Sequence, residues 1–243
     1  MRALLVSLLL ALHAVGPVAH AGYERGDKMK VSISDVRPTQ FDVGMHEVRI
    51  RVSEIESLKN DKKALKELMK DYRAMVVVGP EERLYLVDGH HFSRTLHEAG
   101  IEEMYIRIER DWSDKKVPKF WEKMREKGWV YLRDQSGKTR TPSELPKRIA
   151  KMGDDPYRSL AWLVRKAKGY KNLDVPFQEF QWADFFRDRI PRSLLSDEAG
   201  FQEAIDQALK LARGADAAKL PGYLGLKAAS SCNVTKLLLQ LSR

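Results

Sequence analysis

The chain has a single cysteine, Cys232, among 243 residues. No intramolecular disulfide can form, and zinc or iron–sulfur sites built from several cysteines are excluded. Long apolar runs are scarce too. Beyond residue 21 no segment reaches the roughly 18 consecutive apolar residues read as a membrane span. Internal repeats and low-complexity tracts are absent. With 15 Gly and 10 Pro, collagen-like and disordered classes are excluded. Histidine is sparse, six in all. His90, His91 and His97 are three of them, and they fall within eight residues.

Charge and apolar content are present in quantity. Hydrophobic residues make up 43%, enough for a sizeable core. Lys+Arg 43 against Asp+Glu 34 gives a net charge of +9, which suits phosphate-bearing or acidic partners without naming one. The first residues read as an address. Met1-Arg2 is basic, Ala3 to Val15 is apolar, and Ala19-His20-Ala21 has the pattern of a cleavage site before Gly22. Residues 1–21 are therefore expected to be a signal peptide. The mature protein would start at Gly22, be secreted or periplasmic, and have no membrane span after cleavage. An uncleaved anchor is the alternative.

Along the mature chain, alternation predicts strands at Val31–Ser34, Val48–Val52, Leu84–Val87 and Met104–Ile108. Met75–Val78 reads as a buried strand. A helix is expected over Asn60–Tyr72, capped by Asn60 or Asp61. After Asp111 the character changes. Helices are expected at Val117–Lys127, from Pro156 to about Lys168, from Pro176, at Asp197–Arg213 and at Val234–Leu241. Tyr131–Pro142 reads as a loop or irregular hairpin. The expected division is a mixed α/β unit at 22–110 and a helical extension at 111–243.

The most informative stretch is Asp88-Gly89-His90-His91-Phe92-Ser93-Arg94, where a strand runs through glycine into a helix. The first turn of a helix exposes unpaired N–H groups and partial positive charge, and so accepts anions. At about 100° per residue, His90, Arg94 and His97 fall within roughly 60° of one another, opposite Phe92, Leu96 and Ala99. This predicts a cationic face turned away from the core. Gly89, His90, His91 and Arg94 are the expected phosphate-binding residues. His90 or His91 is the expected general acid or base, with Asp88 or Glu47 orienting it; Glu47 as general base with His91 or His90 as acid is the alternative.

Leu84 to His91, followed by Arg94 and Ala99-Gly100, resembles the signature of the ParB-like/sulfiredoxin superfamily. The match is closest to its secreted branch of ParB-like nucleases. Arg37-Pro38-Thr39-Gln40 with Val43-Gly44 is similar to that branch's opening motif. Phe120 to Met124, Asp154 to Leu160 and Phe180 to Phe185 are similar to its extension. The resemblance implies an α+β fold, a ParB/sulfiredoxin-like domain with a mainly helical C-terminal extension. It also implies a phosphate-bearing ligand, nucleotide or nucleic acid, with nuclease or phosphodiester hydrolase activity; a non-catalytic binding protein is the alternative. There are departures. His90, His91 and Phe92 stand where ParB has Glu-Arg-Arg and binds cytidine triphosphate. His90 stands where sulfiredoxin has its reactive Cys. No helix-turn-helix is evident after residue 110.

Three other constellations stand out. His46-Glu47 with Asp88, His90 and His91 offers ligands that suit zinc, manganese or a similar ion, but the spacing is no recognised ligand motif, so no metal is assigned and the sequence names no cofactor either way. Asp154-Asp155-Pro156-Tyr157-Arg158-Ser159 reads as a capped helix start with Arg158 in a structural ion pair, the alternative being an Asp pair and Arg that meet the first site. The aromatic group Phe177, Phe180, Trp182, Phe185 and Phe186 is expected in the core, with base stacking as the alternative.

Overall fold

The computed structural model describes residues 22–225. The expected signal peptide, Cys232 and the helix expected at Val234–Leu241 lie outside the described residues. In chain order the elements are β1 (Lys28–Ser32), β2 (Val36–Pro38), β3 (Asp42–Val43), α1 (Met45–Leu58), α2 (Lys62–Asp71), β4 (Ala74–Val78) and β5 (Leu84–Asp88). Then come α3 (His90–Glu98), β6 (Glu103–Asp111), α4 (Val117–Glu126), β7 (Gly153–Asp154), α5 (Pro156–Lys166), α6 (Gln178–Arg187) and α7 (Glu198–Arg213).

Five strands form a mixed sheet in the order β1-β6-β4-β5-β2. β1 is antiparallel to β6, β6 parallel to β4, β4 antiparallel to β5, and β5 parallel to β2. Side chains alternate between the two faces of a strand. Met104, Ile106 and Ile108 therefore all enter one core, with Val76, Val78 and Leu86. Val77 and Tyr85 turn to the other face, where Phe120 and Met124 of α4 cover them. A third core belongs to α5, α6 and α7, with Trp182, Phe186 and Tyr170 buried at its centre. The fold is α+β, with helices the main regular elements among the described residues after β6.

The α/β unit and the extension interlock. β3 pairs in parallel with β7, so residues 153–154 lie beside residues 42–43. Ile149 and Met152 enter the core under α1 and α3. The first turn of α1 is closed by groups from the extension: Asp154 Oδ1 accepts the Met45 N–H at 2.9 Å, and Ser159 Oγ accepts the Glu47 N–H at 3.2 Å.

One expected strand is a helix. Val48–Val52 lies within α1. Its five-residue alternation arises because α1 is buried on two sides. Val48 and Ile55 enter the core of the α/β unit, whereas Ile50 packs on the core of the extension. The first strand is also shifted: β1 ends at Ser32, and Ile33–Asp35 form a short 3-10 turn. Among the described residues no helix is long and apolar enough to cross a membrane.

Candidate functional site

β5 ends at Asp88, and Gly89 carries the chain into α3 with φ of 93°. Side chains rarely adopt that conformation. A Cβ there would also press on Ala74 at 3.2 Å. No side chain caps α3. Asp88 Oδ1 instead accepts the Gly89 N–H at 2.8 Å, which keeps Asp88 at the turn.

Both imidazoles are held from the opening segment. His90 is buried, and its Nε2 accepts the Thr39 N–H at 3.1 Å. His91 Nε2 accepts the Gly44 N–H at 2.9 Å. A ring nitrogen that accepts is unprotonated, so in each neutral ring the proton sits on Nδ1. Burial, with the Arg158 charge adding to it, pushes His90 down to about 3 and His91 well below its ordinary value. Both rings are therefore uncharged near neutral pH. The face expected to be turned from the core is covered at this end, because residues 39–44 run against it.

Arg94 is placed differently from the expectation. Its guanidinium donates to the Met152 carbonyl at 2.7 Å and the Ile149 carbonyl at 3.3 Å. Its Nε donates to Glu98 at 2.6 Å. The segment that packs onto α3 has taken this side chain as a structural donor. His46 is also apart from the other residues: its ring stacks on Phe201 at 4.5 Å. Among the described residues no group of three His, Cys, Asp or Glu is placed to hold a metal ion.

Glu47 does join the imidazoles. It is 2% exposed, and its Oε2 lies 3.4 Å from His91 Nε2. Arg51 Nε donates to Glu47 Oε1 at 2.8 Å, whereas Oε2 has no hydrogen-bond partner. Burial, and then the nearby Glu179, push the Glu47 carboxyl up to about 7. Glu179 is itself paired with Arg165 at 2.9 Å.

Arg158 completes the floor, as in the alternative reading of its segment and not the favoured one. Asp155 caps α5, as its place before Pro156 predicts, and forms an ion pair with Arg187 at 2.7 Å. Arg158 has no such pair. It is 5% exposed. Its NH1 reaches Gln40 Oε1 at 3.4 Å, its guanidinium lies 3.4 Å from the centroid of the Phe180 ring, and its Nε has no partner. Among the described residues no carboxylate lies within ion-pair distance of it. A signal was present in the sequence: Arg158 is the one charged residue in Pro156–Val164, a run of otherwise uncharged, mostly apolar side chains, and the structure buries all of it.

These groups line one cleft of about 670 Å³ between the α/β unit and the extension. Asp88, Gly89, His90 and His91 line it from one unit, and Arg158, Arg165 and Glu179 from the other. The aromatic group divides. Trp182, Phe185 and Phe186 are core, whereas Phe177 and Phe180 face the cleft.

The profile of the family described as "Putative ParB-like nuclease" matches residues 29–188. The crystal structure of protein Atu1540 from Agrobacterium tumefaciens is similar to this fold, with a TM-score of 0.76 and 35% sequence identity. The alignment covers 84% of this chain and 100% of that one. None of the proteins with curated functions matches the chain.

Proposed function

The chain belongs to the ParB-like nuclease family, and from that premise we propose that it binds a phosphate-bearing ligand, nucleotide or nucleic acid, in this cleft and hydrolyses a phosphodiester there. The observation that carries the reading is Arg158. A guanidinium stays charged at any ordinary pH, and a buried charge without a partner is costly. An anion in the cleft supplies that partner. The uncapped first turn of α3 adds unpaired N–H groups beside it.

Glu47 is the base in this reading. Its carboxyl titrates near neutral pH, where a general base is most effective. It takes a proton from a water molecule as that water's oxygen bonds to phosphorus. The bond from phosphorus to the leaving oxygen breaks, and that oxygen takes a proton from solvent. Arg158 neutralises the charge that develops on the phosphoryl oxygens. His90 and His91 hold the turn in place and remain neutral. Arg94 is left out, because its donors are spent on backbone. Export follows from the pattern of residues 1–21 and belongs to the same proposal.

The test is release of nucleotides from single- and double-stranded nucleic acid, with and without divalent metal. Wild type is compared with Glu47→Gln and Arg158→Met. Turnover by wild type that falls at least about 100-fold in Glu47→Gln supports the reading. Binding without turnover leaves the non-catalytic alternative, and no binding removes both.

A further inference from the structure

Four arginines line the cleft, and only two of them are matched by carboxylates. Arg51 donates to Glu47 at 2.8 Å, and Arg165 donates to Glu179 at 2.9 Å. Arg158 is unmatched, and so is Arg73. Arg73 enters the cleft from the link between α2 and β4. Its Nε is buried and has no hydrogen-bond partner. Among the described residues it has no ion pair and no ring contact either. A buried N–H without an acceptor costs free energy, and an arginine cannot shed its proton to relieve that cost. Asp71, Asp88 and Asp174 also line the cleft, but all three are exposed, where water and salt screen them.

Arg73 stands beside the turn that starts α3. It precedes Ala74, and Ala74 backs Gly89 so closely that a Cβ there would lie 3.2 Å from it. Arg158 reaches the same turn from the extension, where its charge acts on both His90 and His91. The uncapped first turn of α3 is thus attended by two unmatched guanidiniums, one from each unit. They sit at different depths. Arg158 is 5% exposed, whereas Arg73 is part-buried and follows the exposed Asp71 and Tyr72. A ligand that matches both carries anionic groups at two depths, and a cleft of about 670 Å³ has room for it.

We propose that Arg73 forms a second phosphate subsite, so that the ligand carries two phosphoryl groups, one on Arg158 at the floor and one on Arg73 towards the mouth. This rests on the phosphate-binding reading above and specifies its substrate class. A nucleoside with a phosphoryl group on each side of its sugar has this chemistry, and so has a nucleoside diphosphate.

The experiment is calorimetric titration at one pH and one salt concentration. The ligands are a nucleoside 5′-monophosphate, the 5′-diphosphate and the 3′,5′-bisphosphate of the same nucleoside. The proteins are wild type, Arg73→Met and Lys30→Met. Lys30 pairs with Glu103 on the sheet edge, outside the cleft, so its loss removes the same charge elsewhere. Wild type should bind one of the two-phosphate ligands at least about ten-fold tighter than the monophosphate. Arg73→Met should lose that gain and bind the monophosphate like wild type, and Lys30→Met should keep the gain. The ligand that gains tells whether the two groups are joined or flank the sugar. Urea unfolding should find Arg73→Met as stable as wild type, because no bond is lost. Two-phosphate ligands that gain nothing in wild type overturn this inference and leave the phosphate-binding reading standing. So does a gain that survives in Arg73→Met, a gain lost equally in Lys30→Met, or an Arg73→Met protein that is weakened alike for all three ligands. No binding of any ligand overturns both.

Discussion

Glu47 Oε2 lies 3.4 Å from His91 Nε2, yet the two are not an ion pair. The lone pair of that nitrogen is already engaged by the Gly44 N–H, and burial keeps the ring uncharged. The titrating group of the site near neutral pH is therefore the carboxyl, raised to about 7. The rate of nucleotide release should rise with pH to a plateau, with one apparent pKa near 7. No histidine limb should appear between pH 5 and 8. A falling limb centred near 6.5 and removed by His90→Gln would show that an imidazole carries the proton instead.

The same carboxyl makes folding stability depend on pH. Its ordinary value is 4.5, and in the folded protein it is near 7. Below about pH 4.5 its stabilising contribution is fully present, and it is lost as pH rises through about 7. His90 acts in the opposite sense: its contribution is present above 6.5 and is lost as pH falls towards about 3. Subtracting Glu47→Gln from wild type isolates the carboxyl. The variant should gain in Tm relative to wild type as pH goes from 4.5 to 7.5. A difference that stays flat over that range contradicts the raised carboxyl.

Arg94→Ala should leave ligand binding unchanged and cost about 2 kcal/mol of stability, through loss of charged hydrogen bonds to the carbonyls of residues 149 and 152. Urea unfolding and a binding titration on one preparation check both halves. Weakened binding in a protein of full stability would return Arg94 to the site.

Gly44→Ala tests how the opening motif is packed. Its φ of −83° suits alanine, so backbone strain is not the obstacle. The added Cβ would collide with Ser159 Oγ, and with the Ser159 backbone nitrogen at 2.6 Å. The variant should lose on the order of 2 kcal/mol by overpacking, with weaker ligand binding because His91 hangs on the Gly44 N–H. Wild-type stability would mean that α1 and α5 separate without cost.

The sequence showed what each element is more readily than what covers it. The Gly89 turn and the apolar face at Phe92 and Leu96 follow from local pattern, and both stand. The wheel also placed Arg94 away from its own core, but only the tertiary fold brings residues 149 and 152 onto that face. Val48–Val52 alternates because α1 has neighbours on two sides, and a five-residue window cannot tell that from a strand. Arg158 looked like an ordinary partner for an acidic cap. Its role depends on Arg187 reaching Asp155 from 32 residues away and leaving Arg158 unpaired.

Arg158 carries the central claim, and calorimetric titration with a mononucleotide tests it most directly. Wild type, Arg158→Met and Arg94→Ala are compared at one pH and one salt concentration. The account predicts that Arg158→Met, folded by circular dichroism, binds at least about ten-fold more weakly than wild type, a charged hydrogen bond contributing about 1.5–3 kcal/mol, while Arg94→Ala binds equally well. Undiminished binding by a folded Arg158→Met would contradict it.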